Sequence, residues 1–416
     1  MRQVFLPLAV AVLFIAAACH LSRAEQSKYP PAVVSVVTAR SAANPYPALT
    51  QFDVPIPAEN FLSTDSFYLV GKGHQLYACQ VEPSPITAGG RTFRWFRIIA
   101  LVPCENQPLN FIPLETAVRP SVLVVSSQPV GDSLTLETNA VRAKLDARRF
   151  RVAEEVSLFG HTLLPKYEEG LVNRQQSVEL VLTDRFRHAD FTLTAQVSPG
   201  GFCMERRGPV IATALYRGEF AAPDLKPVPF EARFSLTAHS LIRISIVIQP
   251  GALDRETFAV KEVHLTIPCI LAAASTLDFG GVHENSLGPE HYDGAGRLDV
   301  NLDGSYLFVD SKAVNLKGGG GISWADYNSG DAGLAFLFDC KANAFSITAD
   351  YNADLIDVRL APPDTKEKAA VAVETWLFFH PGRPGVKVLG HISEYLSSPP
   401  AVEPNTDYVK AVTRFP

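Results

Sequence analysis

The chain of 416 residues is short of cysteine, lacks a cationic tail and has no long apolar run beyond its N-terminus. Six cysteines occur with no Cys-x-x-Cys pair and no zinc-type spacing, which excludes zinc ribbons and dithiol redox motifs. Lys and Arg number 37 against 43 Asp and Glu, for a net charge of −6. Nucleic-acid phosphates demand clustered cations, so nucleic acid is excluded as a partner. The densest basic stretch, Arg142 to Arg151, is followed by Glu154 and Glu155 and reads as a solvated strand face. No segment after residue 24 is long and apolar enough to span a bilayer. Gly-x-Ser-x-Gly is missing, and with it the nucleophile elbow. Internal repeats are also absent.

What is present begins with a leader. Arg2 precedes an apolar run from Val4 to Ala18, the pattern of a charged n-region and an h-region. Export is expected, with residues 1–24 removed. Small residues at Ser22-Arg23-Ala24 suit ordinary cleavage before Glu25. Ala16-Ala17-Ala18-Cys19 resembles a lipobox, which makes Cys19 a lipidation candidate. The expected location is therefore secreted or periplasmic, or lipid-anchored at the cell envelope, with any membrane contact made through the N-terminal lipid. The remaining cysteines are Cys79, Cys104, Cys203, Cys269 and Cys340. Cys79 and Cys104 flank one expected hairpin and are the first candidates for a disulfide.

Period two dominates the rest. Ile242, Ile244, Ile246 and Ile248 alternate with Arg243, Ser245, Val247 and Gln249, and Ile356, Val358 and Leu360 alternate with Asp357 and Arg359. Successive strand side chains point to opposite faces, so half-buried strands give this pattern. Turn-forming clusters such as Ser198-Pro199-Gly200-Gly201 separate the runs. The expected fold is all-β. The stretch 364–379, DTKEKAAVAVETWLFF, fits either a helix or a strand. We divide the chain into a leader at 1–24, a Pro-rich tether at 25–47, a compact β-domain at 48–127 and a larger one at 128–385. A tail follows at 386–416, of which residues 397–416 are expected to wrap the surface or stay disordered.

Several motifs carry chemistry, each beside a structural alternative. Asp299, Asn301, Asp303, Gly304 and Asp310 form D-x-N-x-D-G with a carboxylate at the twelfth position, as in a calcium loop. Val300 and Leu302 lie between the would-be ligands, so the segment reads more naturally as a hairpin turning at Asp303-Gly304. No cofactor is required on this reading, with calcium the alternative. The four glycines 318–321 precede a strand-like Ile322-Ser323-Trp324, which is unlike a phosphate cradle. Segment 281–296, GVHENSLGPEHYDGAG, gathers His283, Glu284, Glu290, His291 and Tyr292. A polar loop is the plain reading. As chemistry, His291 and Tyr292 are the acid–base candidates for a β-elimination, and Arg297 is the nearest cation to hold a carboxylate. His283, Glu284 and Glu290, with Trp324 and Tyr327, are the candidates for sugar contact.

Five segments together resemble the exo-acting rhamnogalacturonan lyase family, over residues 50 to 385. They are LYACQVEPSPITAGGRTFRWFRIIALVP, with Gln80 and Trp95, then TLETNAVRAKLDARRFRVAEEVSLFGHTLL, RRGPVIATALYRGEF, FEARFSLTAHSLIRISIVI and ISWADYNSGDAGLAFLF. The resemblance implies a small RIFT-type barrel followed by a large antiparallel β-sandwich. It also implies a third, helical toroid domain, and the sequence ends about where that domain should begin. Ala88-Gly89-Gly90-Arg91 replaces the family's acidic turn, and no catalytic residue of the family maps onto a position here. Three functions follow. The first is a non-catalytic binder of polysaccharide or oligosaccharide, with pectic glycans the implied class and a separate catalytic chain as a partner. The second is a polysaccharide lyase acting on uronate-containing glycans, and the third a structural or adhesive envelope module.

Overall fold

The computed structural model describes residues 32–37, 44–57, 67–84, 86, 93–113, 125–165, 177–254, 256–269, 276–281, 290–293, 297–301, 304–309, 312–315, 322–338, 344–350, 355–362, 370–397 and 399–413. The leader and Cys19 lie outside them. The protein is all-β, with antiparallel pairing throughout the sheets. Two compact units divide after Pro120, and the chain returns to the first unit at Pro400.

The first unit is a seven-stranded sheet. Its order is Asn44–Pro57, Phe93–Cys104, Leu76–Pro83, Phe67–Val70, Gln107–Pro113, Ala32–Val37 and Ala401–Pro404. The two edge strands approach each other, and Thr50 Oγ1 donates to Pro400 O at 3.3 Å. Val54, Ile56, Leu69, Phe96, Ile98 and Leu109 form its core. Two expectations change here. The segment taken for a tether supplies the strand Ala32–Val37, which pairs antiparallel with Gln107–Pro113, Ala32 opposite Phe111 and Val34 opposite Leu109. The tail is also folded. Asn405 caps the helix Thr406–Thr413 by accepting from the Asp407 and Tyr408 N–H groups. That helix sends Tyr408 and Val412 into the core, and the Tyr408 hydroxyl donates to Pro55 O at 2.8 Å.

Register also disposes of the expected disulfide. Cys79 lies opposite Ala100, whereas Cys104 stands four residues further along that strand, opposite Asn44. Four strand residues cover about 13 Å, well beyond disulfide reach. Burial raises the Cys79 thiol pKa, which keeps it protonated.

The second unit is built on sixteen strands. From one edge they run Glu290–Asp293, Thr276–Gly281, Ile322–Asn328, Ala332–Leu337, Val371–Pro381, Leu241–Ile248, Val228–Thr237 and Ile211–Ala221. The other half continues with Asp190–Arg206, Ser177–Asp184, Phe258–Pro268, Leu355–Ala361, Ala344–Asp350, Arg297–Asn301, Gly304–Val309 and Lys312–Asn315. Asp293 and Arg297 lie on the first and fourteenth strands of this run. Four residues span at most about 14 Å, so the run folds back into two layers. Register shifts between Val197 and Phe202, and between Met204 and Arg206, fall at the midpoint of the run, where bulges bend strands. The result is a large β-sandwich.

Its core is built from one face of each strand. Phe279, Ala325, Phe336, Leu377 and Ile242 stand in one row across five strands, and Leu277, Tyr327, Leu334 and Phe379 in the next. All nine are at most 1% exposed. Of the segment that fitted helix or strand, residues 364–369 lie outside the described residues and 371–379 belong to the strand Val371–Pro381, whose odd positions join these rows. A further five-stranded sheet, from Ser126 to Leu164, packs on the sandwich through Phe150, whose ring is 5.0 Å from Tyr216 and 5.5 Å from Phe230.

Candidate functional site

Two polar clusters stand out on the faces turned away from the core rows. The first lies at the edge that begins with Glu290–Asp293. Asp278 is directly opposite His291 on one side and Asp326 on the other. Arg383 Nε and Nη2 donate to the Asp278 carboxylate at 2.9 and 2.7 Å, and His291 Nδ1 lies 2.6 Å from Asp278 Oδ1. Asp326 is held by His380 Nε2 at 2.8 Å, while His380 Nδ1 contacts Gly382 O at 2.9 Å. The His380 ring lies against Gly333: a Cβ there would meet its Cε1 at 2.3 Å. Asp278, Asp326 and His380 are buried, whereas His291 and Arg383 remain 41% and 48% exposed. The helix Val386–Ser397 packs on the same strands, with Ser393 Oγ donating to Ser323 O.

This cluster regroups the expected acid–base residues. His291 and Tyr292 are successive strand residues and point to opposite faces, Tyr292 with the Leu277 row. They therefore cannot serve one reacting atom together. Arg297 lies in the other layer, so Arg383 is the guanidinium beside His291. Trp324 and Tyr327 are 1% and 0% exposed and present no ring to a sugar. Tyr327 belongs to the core row, and the Trp324 indole lies over Gly280, where a Cβ would approach Cζ2 to 2.8 Å. Glu290 is placed by its backbone only, and His283 and Glu284 lie outside the described residues.

The second cluster is a groove of about 290 Å³ crossing four strands of the opposite layer. Ala344, Ala361, Val300 and Phe345 line it together with Lys261, Glu262, Arg297, Asp299, Ser346 and Arg359. The register explains the convergence: His264, Arg359, Ser346 and Asp299 occupy one row over neighbouring strands. Asp299 Oδ1 accepts from Arg297 Nε at 2.8 Å and Ser346 Oγ at 2.5 Å. Arg359 donates to Asp357 at 3.2 Å, and Asp357 in turn meets His264. His264 also stands 3.5 Å from Glu179, and this hydrogen-bonded contact holds the Glu179 carboxyl below its ordinary range. Lys261 donates to Asp190 at 2.5 Å and lowers that carboxyl likewise.

Within the groove the Asp299 carboxylate is engaged by the Arg297 guanidinium and the Ser346 hydroxyl. Asn301 pairs with Gly304, so Gly304 stands in a strand of the expected hairpin instead of in its turn. Asp303 and Asp310 lie outside the described residues, as does the Asn301 side chain. Among the described residues, no three His, Cys, Asp or Glu side chains converge on a point that could hold a metal. No described helix is long and apolar enough to cross a membrane.

Sequence reasoning missed Asp278, Asp326, His380 and Arg383. Their signal was a polar residue inside an apolar strand, in TLDFGG, SWADYN and FFHP, with Arg383 just beyond the last of these.

Comparison with known proteins gives a fold. No family model matches the chain, and no curated protein matches it. Among solved structures, an α-mannosidase from Enterococcus faecalis V583 superposes with a TM-score of 0.52 at 9% identity, covering 90% of this chain. The match spans 46% of that protein's length. At this identity the likeness is one of architecture, an all-β protein built on a large sandwich.

Proposed function

We propose that the protein is an exported, carbohydrate-associated β-sandwich protein that binds oligosaccharide in the groove crossing the Lys261, Arg359, Ser346 and Asp299 strands. The groove itself carries this reading. A sugar hydroxyl is donor and acceptor at once, and the lining offers both at close spacing: guanidinium and ammonium N–H groups beside the Asp299 and Glu262 carboxylates. Ala344 and Ala361 are small enough to let a ring approach the backbone between them. An open cleft with an apolar floor and a few converging polar groups is the usual form of such a site. The α-mannosidase architecture supports carbohydrate, and the resemblance to rhamnogalacturonan lyases supports a pectic, uronate-bearing one. The test is a glycan screen on wild type and on Asp299→Ala. Retention of the wild-type ligands by the variant would remove the groove from the account, and a wholly negative screen would favour an envelope-module role.

A second reading has its own observation. At the sheet edge, buried Asp278 orients a half-exposed His291, with the Arg383 guanidinium alongside. A base oriented by a carboxylate, next to a cation for a sugar carboxylate, is what β-elimination needs. Incubation with uronate polymers while following unsaturated-uronate absorbance tests it. Steady turnover abolished by His291→Ala would establish a lyase, and its absence leaves binding.

A further inference from the structure

The turn between the strands Ser177–Asp184 and Asp190–Arg206 reads Arg185-Phe186-Arg187-His188, and all four residues are exposed. Phe186 is 74% exposed, more than any other large hydrophobic residue among those described. Its position is built, because the turn is pinned from both sides. The buried Asp184 carboxylate accepts the Phe186 and Arg187 N–H groups at 2.8 and 2.9 Å. Asp184 O accepts from His188 N, Arg185 N donates to Thr257 O at 2.8 Å, and His188 is held at φ 54°. The backbone thus exposes a phenyl ring to water on a residue flanked in sequence by two exposed arginines.

Two features decide what such a tip fits. It is convex, so it cannot enclose a small ligand as a pocket does. Its four residues carry two guanidinium groups and no carboxylate, Arg187 standing 3.9 Å from the buried Asp184 beneath, on a chain of net charge −6, so the attraction is confined to the tip. A deformable anionic surface meets both conditions: the ring enters the boundary between headgroups and acyl chains while the guanidinium groups take phosphates. We propose that the Arg185–His188 tip docks on an anionic lipid surface. The proposal is independent of the glycan groove. One aromatic ring and two arginines give weak, reversible docking that strengthens a second anchor.

The probe is local to the tip. Full-length Phe186→Trp is mixed with vesicles of equal parts phosphatidylcholine and phosphatidylglycerol carrying brominated acyl chains. The emission of the new indole is obtained by subtracting the wild-type signal. The expected result is quenching of that emission and its shift to the blue. Adding Arg185→Ser and Arg187→Ser should weaken vesicle affinity about fivefold each, with unchanged thermal unfolding showing an intact fold. No quenching overturns the proposal. Equal quenching by pure phosphatidylcholine overturns its electrostatic part. A blue shift produced by a soluble polyanionic glycan, with none from vesicles, would assign the tip to glycan instead.

Discussion

Asp278 and Asp326 stand directly opposite each other on neighbouring strands, both buried, each held by its own cationic or imidazole partner. Facing residues of an antiparallel pair lie about 5 Å apart, so the two carboxylates would repel without Arg383 and His380. Each partner therefore stabilises the fold by offsetting the charge of the carboxylate it holds.

Removing one partner should therefore cost more than removing a whole pair. His380→Leu leaves Asp326 buried without its imidazole and should destabilise by about 3–5 kcal/mol. His380→Leu combined with Asp326→Leu should recover part of that loss. Arg383→Ala should cost less, about 1–3 kcal/mol, because its side chain is 48% exposed and water screens it. Urea denaturation of the four proteins checks the order.

Gly333 is required by its neighbour. A methyl group there would meet the His380 ring at 2.3 Å. Gly333→Ala should destabilise by about 1–3 kcal/mol through overpacking. The cost should shrink in a His380→Ala background, a non-additivity that a double-mutant cycle measures.

The C-terminal helix is a core element of the first unit. Tyr408→Phe loses the hydrogen bond to Pro55 O, a loss of about 1 kcal/mol. Tyr408→Ala removes the ring as well and should cost about 3–5 kcal/mol. Hydrogen exchange in the strand Asn44–Pro57 should accelerate in both variants, and more strongly in Tyr408→Ala.

Acid should destabilise the sandwich in two steps. Burial holds the His239 pKa below its ordinary 6.5. The unfolded chain therefore takes up a proton that the folded one refuses, and stability falls as pH drops below 6.5. Glu179 is held below its ordinary 4.5 by its hydrogen bond to His264. Its contribution is whole above 4.5 and is lost as pH falls through the lower folded value. His239→Gln should flatten the upper step and Glu179→Gln the lower one, read from unfolding midpoints against pH.

How much of this was legible follows from which signals are local. Period two at Ile242 to Ile248 and Ile356 to Leu360 announces strands, because alternation is a property of one strand. The faces of Trp324 and Tyr327 were not legible. An aromatic beside polar residues looks the same whether it lies on a rim or, like Tyr327, in a row completed by Leu277 and Leu334 from other strands. The edge cluster depends on register: Asp278 meets His291 and Asp326 only through pairings up to 48 residues apart. Its fourth member, Arg383, comes from 105 residues away. Tether and tail were misjudged for the same reason, since Ala32–Val37 and Ala401–Pro404 acquire their partners from each other and from Gln107–Pro113.

The central claim is that the Asp299–Arg359 groove binds sugar. Calorimetric titration of an oligosaccharide selected on wild type, repeated on Asp299→Ala and on Phe186→Ser, tests it most directly. The account predicts at least a tenfold loss of affinity, about 1.4 kcal/mol, for Asp299→Ala and none for Phe186→Ser. Equal affinity in wild type and Asp299→Ala, with both folded, would contradict it.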